Sequence, residues 1–150
     1  MASSRREFLF AGGAAPLALA LSQQTGNREL TSEEQANVDV VNDFCAAWET
    51  SDPGRISSYF TDDATFRFTQ EGEALTGRET LRQQLAGLAD GSQKVVFEVL
   101  ETWSVGPLVV NLRVDYITNA DMEETSFRVA GVFYVKDGKI TEWIDAIAPA

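Results

Sequence analysis

The chain has 150 residues, a length that suits one domain with one moderate hydrophobic core. Its formal net charge of −11 argues against nucleic acid as a partner, because phosphate binding needs clustered Lys and Arg. There is no histidine and one cysteine, Cys45, which excludes His triads, His metal sites, an internal disulfide and Cys-cluster metal sites; acid–base chemistry falls to carboxylates, Lys, Tyr or ordered water.

Taken in order, Ser3-Ser4-Arg5-Arg6-Glu7-Phe8-Leu9-Phe10 resembles a bacterial twin-arginine export signal. An apolar run from Ala11 to Leu21 follows, with a small-x-small cleavage site at Ala18-Leu19-Ala20. That run is too short and too rich in Gly and Ala for a stable membrane span. The expectation is a protein exported to the periplasm or beyond, with 1–29 as signal and linker and a single domain over 30–150.

Thr31-Ser32-Glu33-Glu34 reads as a capping box opening a helix whose Val38, Val41, Phe44, Cys45 and Trp48 recur at helical spacing. Asp52-Pro53 caps a second, short helix with Ile56, Tyr59 and Phe60 inward. Asp63 to Thr69 is strand-like, with Phe66 and Phe68 on one face. Thr76-Gly77-Arg78-Glu79 reads as another capping box, opening a third helix that carries Leu81, Leu85 and Leu88 and stops at Gly91. The second half is strand: Lys94 to Ser104, Leu108 to Thr118, Glu124 to Val135 and Lys139 to Ile147, separated by Gly106-Pro107, Asn119-Ala120-Asp121 and Lys136-Asp137-Gly138. Three helices and then a meander of long strands predict an α+β domain: a curved antiparallel sheet with the helices on its concave face.

The informative stretch is Asn111-Leu112-Arg113-Val114-Asp115. Alternation along a strand puts Asn111, Arg113 and Asp115 on one face and Leu108, Val110, Leu112, Val114 and Tyr116 on the other. An isolated Arg-x-Asp is commonly a solvent-facing ion pair of little consequence. Here its strand has an apolar back, and Gly138-Lys139-Ile140-Thr141-Glu142-Trp143-Ile144-Asp145 supplies a further carboxylate. A three-residue loop at Lys136-Asp137-Gly138 would set Asp145 opposite Val129, on the face shared by Phe127, Gly131 and Phe133. A two-residue Asp-Gly loop would send it to the other face.

This plan resembles the NTF2-like cone fold, which includes ketosteroid isomerases and SnoaL-like cyclases. Within it the likeness is greatest to the limonene-1,2-epoxide hydrolases, over about Val38 to Ile147. It rests on Leu108-Val109 to Arg113-Val114-Asp115 and on Gly131-Val132-Phe133 through Gly138-Lys139-Ile140-Thr141 to Trp143 and Asp145. Weaker likeness runs through Tyr59-Phe60, Asp63, Gly77-Arg78 and Leu85-Ala86-Gly87-Leu88. The resemblance implies one-step epoxide opening by an Asp–Arg–Asp triad, with no metal or organic cofactor. Asp115 would be the general acid, Arg113 the bridge between carboxylates, and Asp145 the base that activates water. It also implies a pocket for a small apolar, terpene-like epoxide, walled by Phe66, Phe68, Leu88, Asn111, Ile117, Phe127, Val129, Trp143 and Ile147.

The family holds its water with a Tyr and an Asn where this chain has Phe66 and Phe68, and neither ring can hydrogen-bond a water. Asn111 is the candidate substitute. If water is excluded, the same carboxylates would serve a cyclase or isomerase. If the Arg–Asp pair is structural, the protein would be a non-catalytic exported binder of an apolar ligand. Ketosteroid isomerase fits less well, because the places of its carboxylates fall near Phe68 and Gly131. Trp48, Trp103 and Trp143 read as core or pocket wall, Phe133 as core or cone lining, and Cys45 as a small buried hydrophobe. Asp62, Asp63, Glu71, Glu73, Asp121, Glu123 and Glu124 read as solvated surface without calcium-loop spacing. The apolar back of the Arg113 strand needs a cover, which predicts a homodimer through the outer sheet face.

Overall fold

The computed structural model describes residues 28–148. The expected export signal lies outside the described residues. Helix α1 (Ser32–Ala47) opens with the expected capping box: Thr31 Oγ1 accepts from Glu34 N–H, and the Glu34 carboxylate accepts from Thr31 N–H. Glu34 also accepts from the Arg28 guanidinium and from Gly106 N–H, which ties the start of α1 to the turn at Gly106-Pro107. These hydrogen bonds, led by that from Arg28, hold its carboxyl at about 2. A 3₁₀ turn (Trp48–Thr50) ends at Ser51 in the left-handed region. Helix α2 (Pro53–Ser57) is capped by Asp52, whose carboxylate accepts from Gly54 and Arg55 N–H.

Strand β1 (Phe60–Arg67) and the two-residue β2 (Leu75–Thr76) precede α3 (Arg78–Gln84) and α4 (Ala86–Ala89). The expected Thr76 capping box does not form: Gly77 occupies the cap at φ +102, and no side chain bonds the first turn. The expected single third helix is broken at Leu85, two residues before Gly87, a poor helix former. Leu81, Leu85 and Leu88 all remain buried across the break, so packing rather than helix continuity holds the segment. Strands β3 (Gln93–Val105), β4 (Leu108–Asn119), β5 (Glu124–Lys136) and β6 (Lys139–Ile147) match the expected meander.

The sheet order is β2-β1-β6-β5-β4-β3. It is antiparallel except where β1 runs parallel beside β6, so the sheet is mixed rather than wholly antiparallel. Helix α1 lies across β3 to β6 on one face. Beneath it Phe44 makes edge contacts with Trp48, Tyr59, Phe60, Phe133 and Trp143 at centroid separations of 5.2 to 6.2 Å. Phe133 is therefore core, not cone lining.

The β5–β6 hairpin places the last carboxylate by an unexpected route. Its loop has two residues, Asp137 at φ +50 and Gly138 at φ +73, so Lys136 pairs with Lys139. Continued without interruption, that register would turn Asp145 outward. A β-bulge intervenes: Val135 pairs with Ile140 and Tyr134 with Glu142, leaving Thr141 as the extra residue. The bulge flips the strand back, so Asp145 faces inward opposite Gly131, not Val129, which pairs with Ile147.

The other sheet face carries Leu100, Trp103, Leu112 and Tyr134 at 62, 44, 40 and 43 % exposure, too apolar a surface to be an ordinary solvent face. Trp103 belongs to that face, not to the core or pocket wall. It pairs with Val110, one step out of phase with Asn111 and Arg113.

Candidate active site

Three inward positions of β4 carry the polar cluster. Arg113, Asn111, Asp115 and Asp145 are all buried, Asn111 and Arg113 to 0 and 1 % exposure, which removes the reading of Arg113 and Asp115 as a solvent ion pair. Arg113 Nε donates to Asp115 Oδ1 at 2.7 Å, and Nη2 donates both to Asp115 Oδ2 at 3.1 Å and to Asp145 Oδ2 at 2.5 Å. Nη1 donates to Asn111 Oδ1 at 3.2 Å, and the guanidinium carbon lies 4.3 Å from the centre of the Phe97 ring. Trp143 Nε1 donates to Asp145 Oδ1 at 2.6 Å. One guanidinium thus spans two carboxylates, and Asp145 alone receives a further donor.

Burial pushes the Asp145 carboxyl up to about 6, against the pull of Arg113 and the Trp143 N–H. The same desolvation raises Asp115, opposed by Arg113. Desolvation pulls the Arg113 guanidinium down, but Asp145 and Asp115 outweigh it and the net shift is upward. The two carboxyls meet through one cation, so they titrate as a coupled pair, in two steps that belong to the pair rather than to either residue. Both are Arg-paired and both are raised by burial, Asp145 as far as about 6; the Trp143 donor, which Asp115 lacks, opposes that rise and favours the anion on Asp145.

Asp115 and Asp145 open onto a cavity of about 340 Å³, at the small end of ligand sites. Its walls are mostly apolar, and the site residues expected on them fall into two groups. Phe68, Ile117, Phe127, Val129, Trp143 and Ile147 line it. Phe66, Leu88 and Asn111 do not. Phe66 is buried behind Phe68, with ring centres 5.3 Å apart. Leu88 is in the core and Leu85 takes the wall position, because the helix break changes which leucine points there. Asn111 has both ends of its amide engaged, Oδ1 by Arg113 and Nδ2 by Cys45 Sγ at 3.3 Å, so it is not free to hold a cavity water.

Sequence reasoning missed Leu85, Val95, Phe97, Thr69, Gln84 and Gln93 on the wall, and left Trp48 between core and wall. The alternation Gln93, Val95, Phe97 could have signalled the β3 contribution, since Phe97 pairs with Asp115. Gln93 lies four residues before Phe97, so the neutral polar group at that end is ~13 Å along the strand from the carboxyls. The Trp48 indole N–H, buried in the same wall, has no acceptor among the described residues. A larger groove of about 590 Å³ runs between α1 and the β5–β6 turn, lined by Glu33, Lys136 and Asp137 among others. It shares no residue with the carboxyl cavity, and convergent buried polar groups on apolar walls make the smaller one the better candidate. Among the described residues no cluster of His, Cys, Asp and Glu is placed to hold a metal ion, and no helix is long and apolar enough to cross a membrane.

Known proteins share this architecture. An LEH-like epoxide hydrolase from M. tuberculosis superposes with a TM-score of 0.71 at 22 % identity, covering 77 % of this chain and 85 % of that one. An epoxide hydrolase/cyclase-like enzyme of pyran ring formation in the polyether salinomycin gives 0.65 at 18 %, over 76 and 92 %. A protein with a ketosteroid isomerase-like fold from Catenulispora acidiphila gives 0.63 at 21 %, over 71 and 82 %. At such identities the likeness shows the NTF2-like α+β fold. The model of the SnoaL-like domain matches residues 41–143, from mid-α1 to Trp143 on β6, and the chain belongs to that SnoaL-like family.

Proposed function

We propose that the protein adds water across an epoxide on a small apolar substrate, in one step and without a metal or organic cofactor, in the manner of the limonene-1,2-epoxide hydrolases. The observation that carries this reading is Arg113 bridging Asp115 and Asp145 at the wall of an apolar cavity. Asp115 donates its proton to the epoxide oxygen as the C–O bond breaks. Asp145 takes a proton from the water whose oxygen bonds to carbon, and a vicinal diol leaves. Returning the proton from Asp145 to Asp115 resets the pair. Phe66 and Phe68 supply no hydrogen bond, and the polar side chains on the cavity wall other than the two carboxyls are Thr69, Gln84 and Gln93, the last lying at the far end of β3 from the carboxyls.

The chemistry needs one proton on the pair, and the sign of its pH dependence follows. With Asp145 held up at about 6, the last shared proton leaves as pH rises through that value. The expected profile of kcat/KM against pH therefore falls above about pH 6, because no acid remains. It falls again at low pH, where both carboxyls are protonated and no base remains. A profile flat from pH 5 to 8 would remove the carboxyl pair from the rate-limiting step.

The test of the reaction is turnover of terpene, cycloalkene and short-chain oxides in H₂¹⁸O by the domain from Arg28 onward, which keeps the Arg28–Glu34 pair. Labelled diol is the expected product. Consumption without label would instead indicate an internal nucleophile, a cyclase or isomerase reading that the apolar Phe68 wall favours and that the role of the salinomycin enzyme in pyran ring formation parallels. No turnover, with an apolar ligand held in the cavity, would indicate a binding protein. We also propose that the apolar outer sheet face is covered by a second copy of the chain, and that Arg5-Arg6 and the apolar run after them direct export.

A further inference from the structure

The bridge between the carboxyls depends on which way the Arg113 guanidinium faces, and two residues with no place on the cavity wall hold it. Gly131 lies between Asn111 on β4 and Asp145 on β6 in the sheet register, all on the inner face. Its backbone is not among the positive-φ glycines, so conformation does not require glycine there. Space does. A Cβ at position 131 would overlap Arg113 Nη1 and would stand 2.6 Å from Asn111 Oδ1 and 2.7 Å from Phe133 Cε2. Glycine in mid-strand is costly, and here it leaves the volume into which the guanidinium is laid.

Asn111 supplies the direction. Arginine has donors only, so the amide must turn Oδ1 toward Nη1, which sends Nδ2 to Cys45 Sγ on α1. Burial pushes the Cys45 thiol up to about 12, so its sulfur stays a neutral acceptor. Nothing in this chain of contacts reaches the cavity. We propose that Asn111 and Gly131 are positioning residues, anchored on α1 through Cys45, which confine the Arg113 guanidinium to the one orientation that spans Asp115 and Asp145. Released at Nη1, the guanidinium pivots on the two bonds it already gives Asp115, Nη2 swings away from Asp145, and Asp145 loses its cation.

This inference deepens the epoxide-opening reading of the same site, and its test has a readout that needs no substrate. The carboxyl carbons of ¹³C-aspartate-labelled protein are titrated by NMR in the wild type, Asn111→Leu and Gly131→Ala. The Asp145 midpoint is expected to rise above the wild-type value in both variants. On a turned-over epoxide, kcat is expected to drop about 10–100-fold with KM little changed, the penalty of misplaced groups. Val41→Ala, a buried change in the apolar core on α1, lowers stability as a control and is expected to leave the Asp145 midpoint where it was. Should both site variants fail to fold, Cys45→Val and Cys45→Ser carry the test: valine removes the acceptor for Asn111 and shifts the midpoint, serine keeps an acceptor and does not. An unmoved Asp145 midpoint in folded variants overturns the inference, and so does equal behaviour of the two Cys45 variants. A moved midpoint in a protein that turns over no epoxide leaves the inference standing and rejects the reaction.

Discussion

Asp145→Asn is expected to lower kcat by roughly 10²–10⁴-fold, the usual contribution of a positioned general base. The side chain keeps its shape but can no longer take a proton from water. It also cannot satisfy both donors: Arg113 Nη2 and Trp143 Nε1 each point at one of the present oxygens, and one of them would meet an amide NH₂. Some loss of stability is therefore expected as well, and thermal melts at the assay pH separate it from the loss of rate. Asp115→Asn should cost a similar factor by removing the acid. The double variant should be little worse than either single, because acid and base act in one step and their effects do not add. Retention of kcat within about threefold in folded Asp145→Asn, against the factor a base supplies, would rule out its role as base and leave the carboxyls a structural or binding part.

Replacing Arg113 by methionine should have the largest effect on stability. Removing one partner of a buried ion pair costs about 3–5 kcal/mol, because the remaining charge stays desolvated and unpaired. Here two carboxylates lose their shared cation, and Asn111 Oδ1 loses its donor. For a domain of this size the corresponding drop in Tm is roughly 10–20 °C. The loss should depend on pH. Asp145 already sits above its ordinary value, so its contribution to stability is full at low pH and is lost as pH rises through about 6. Without Arg113 the opposing pull disappears and the carboxyls rise further. The deficit of the variant should therefore be small near pH 4, where both are protonated, and large near pH 8. Equal deficits at both values would mean that Arg113 stabilises by packing on Phe97 rather than by charge. Arg113→Lys should recover part of the stability at pH 8 but little turnover, since an ammonium lacks the fork that reaches both carboxylates.

The placement of β4 was legible because its signal is local. A period of two on a strand with an apolar back assigns Asn111, Arg113 and Asp115 to one face before any partner strand is known. The capping box at Thr31 and the Asp52-Pro53 cap were legible for the same reason, each being a contact across one helical turn. Asp145 is a different case. The expected three-residue loop and the observed two-residue loop with its bulge at Thr141 lead to the same face, so the agreement on the face conceals a different register and a different partner. No local pattern announces a bulge. It exists because the alternative would turn Trp143 and Asp145 out and Ile144 in, which the buried cluster around Phe44 does not permit.

By itself the sequence determined the order of the long elements, the polar face of β4, the absence of histidine chemistry and the apolar outer face. Each follows from composition, or from side-chain period over a few residues. Only the tertiary structure decided that Arg113 reaches both carboxylates, that Phe66, Leu88 and Asn111 lie off the cavity wall, and that β1 closes the sheet parallel to β6. These depend on register across the sheet and on packing between residues far apart in the chain. Gly131 shows the division most clearly. In the sequence it is one glycine in a strand, and only the neighbouring strand shows that the side chain it lacks would occupy the volume of a guanidinium.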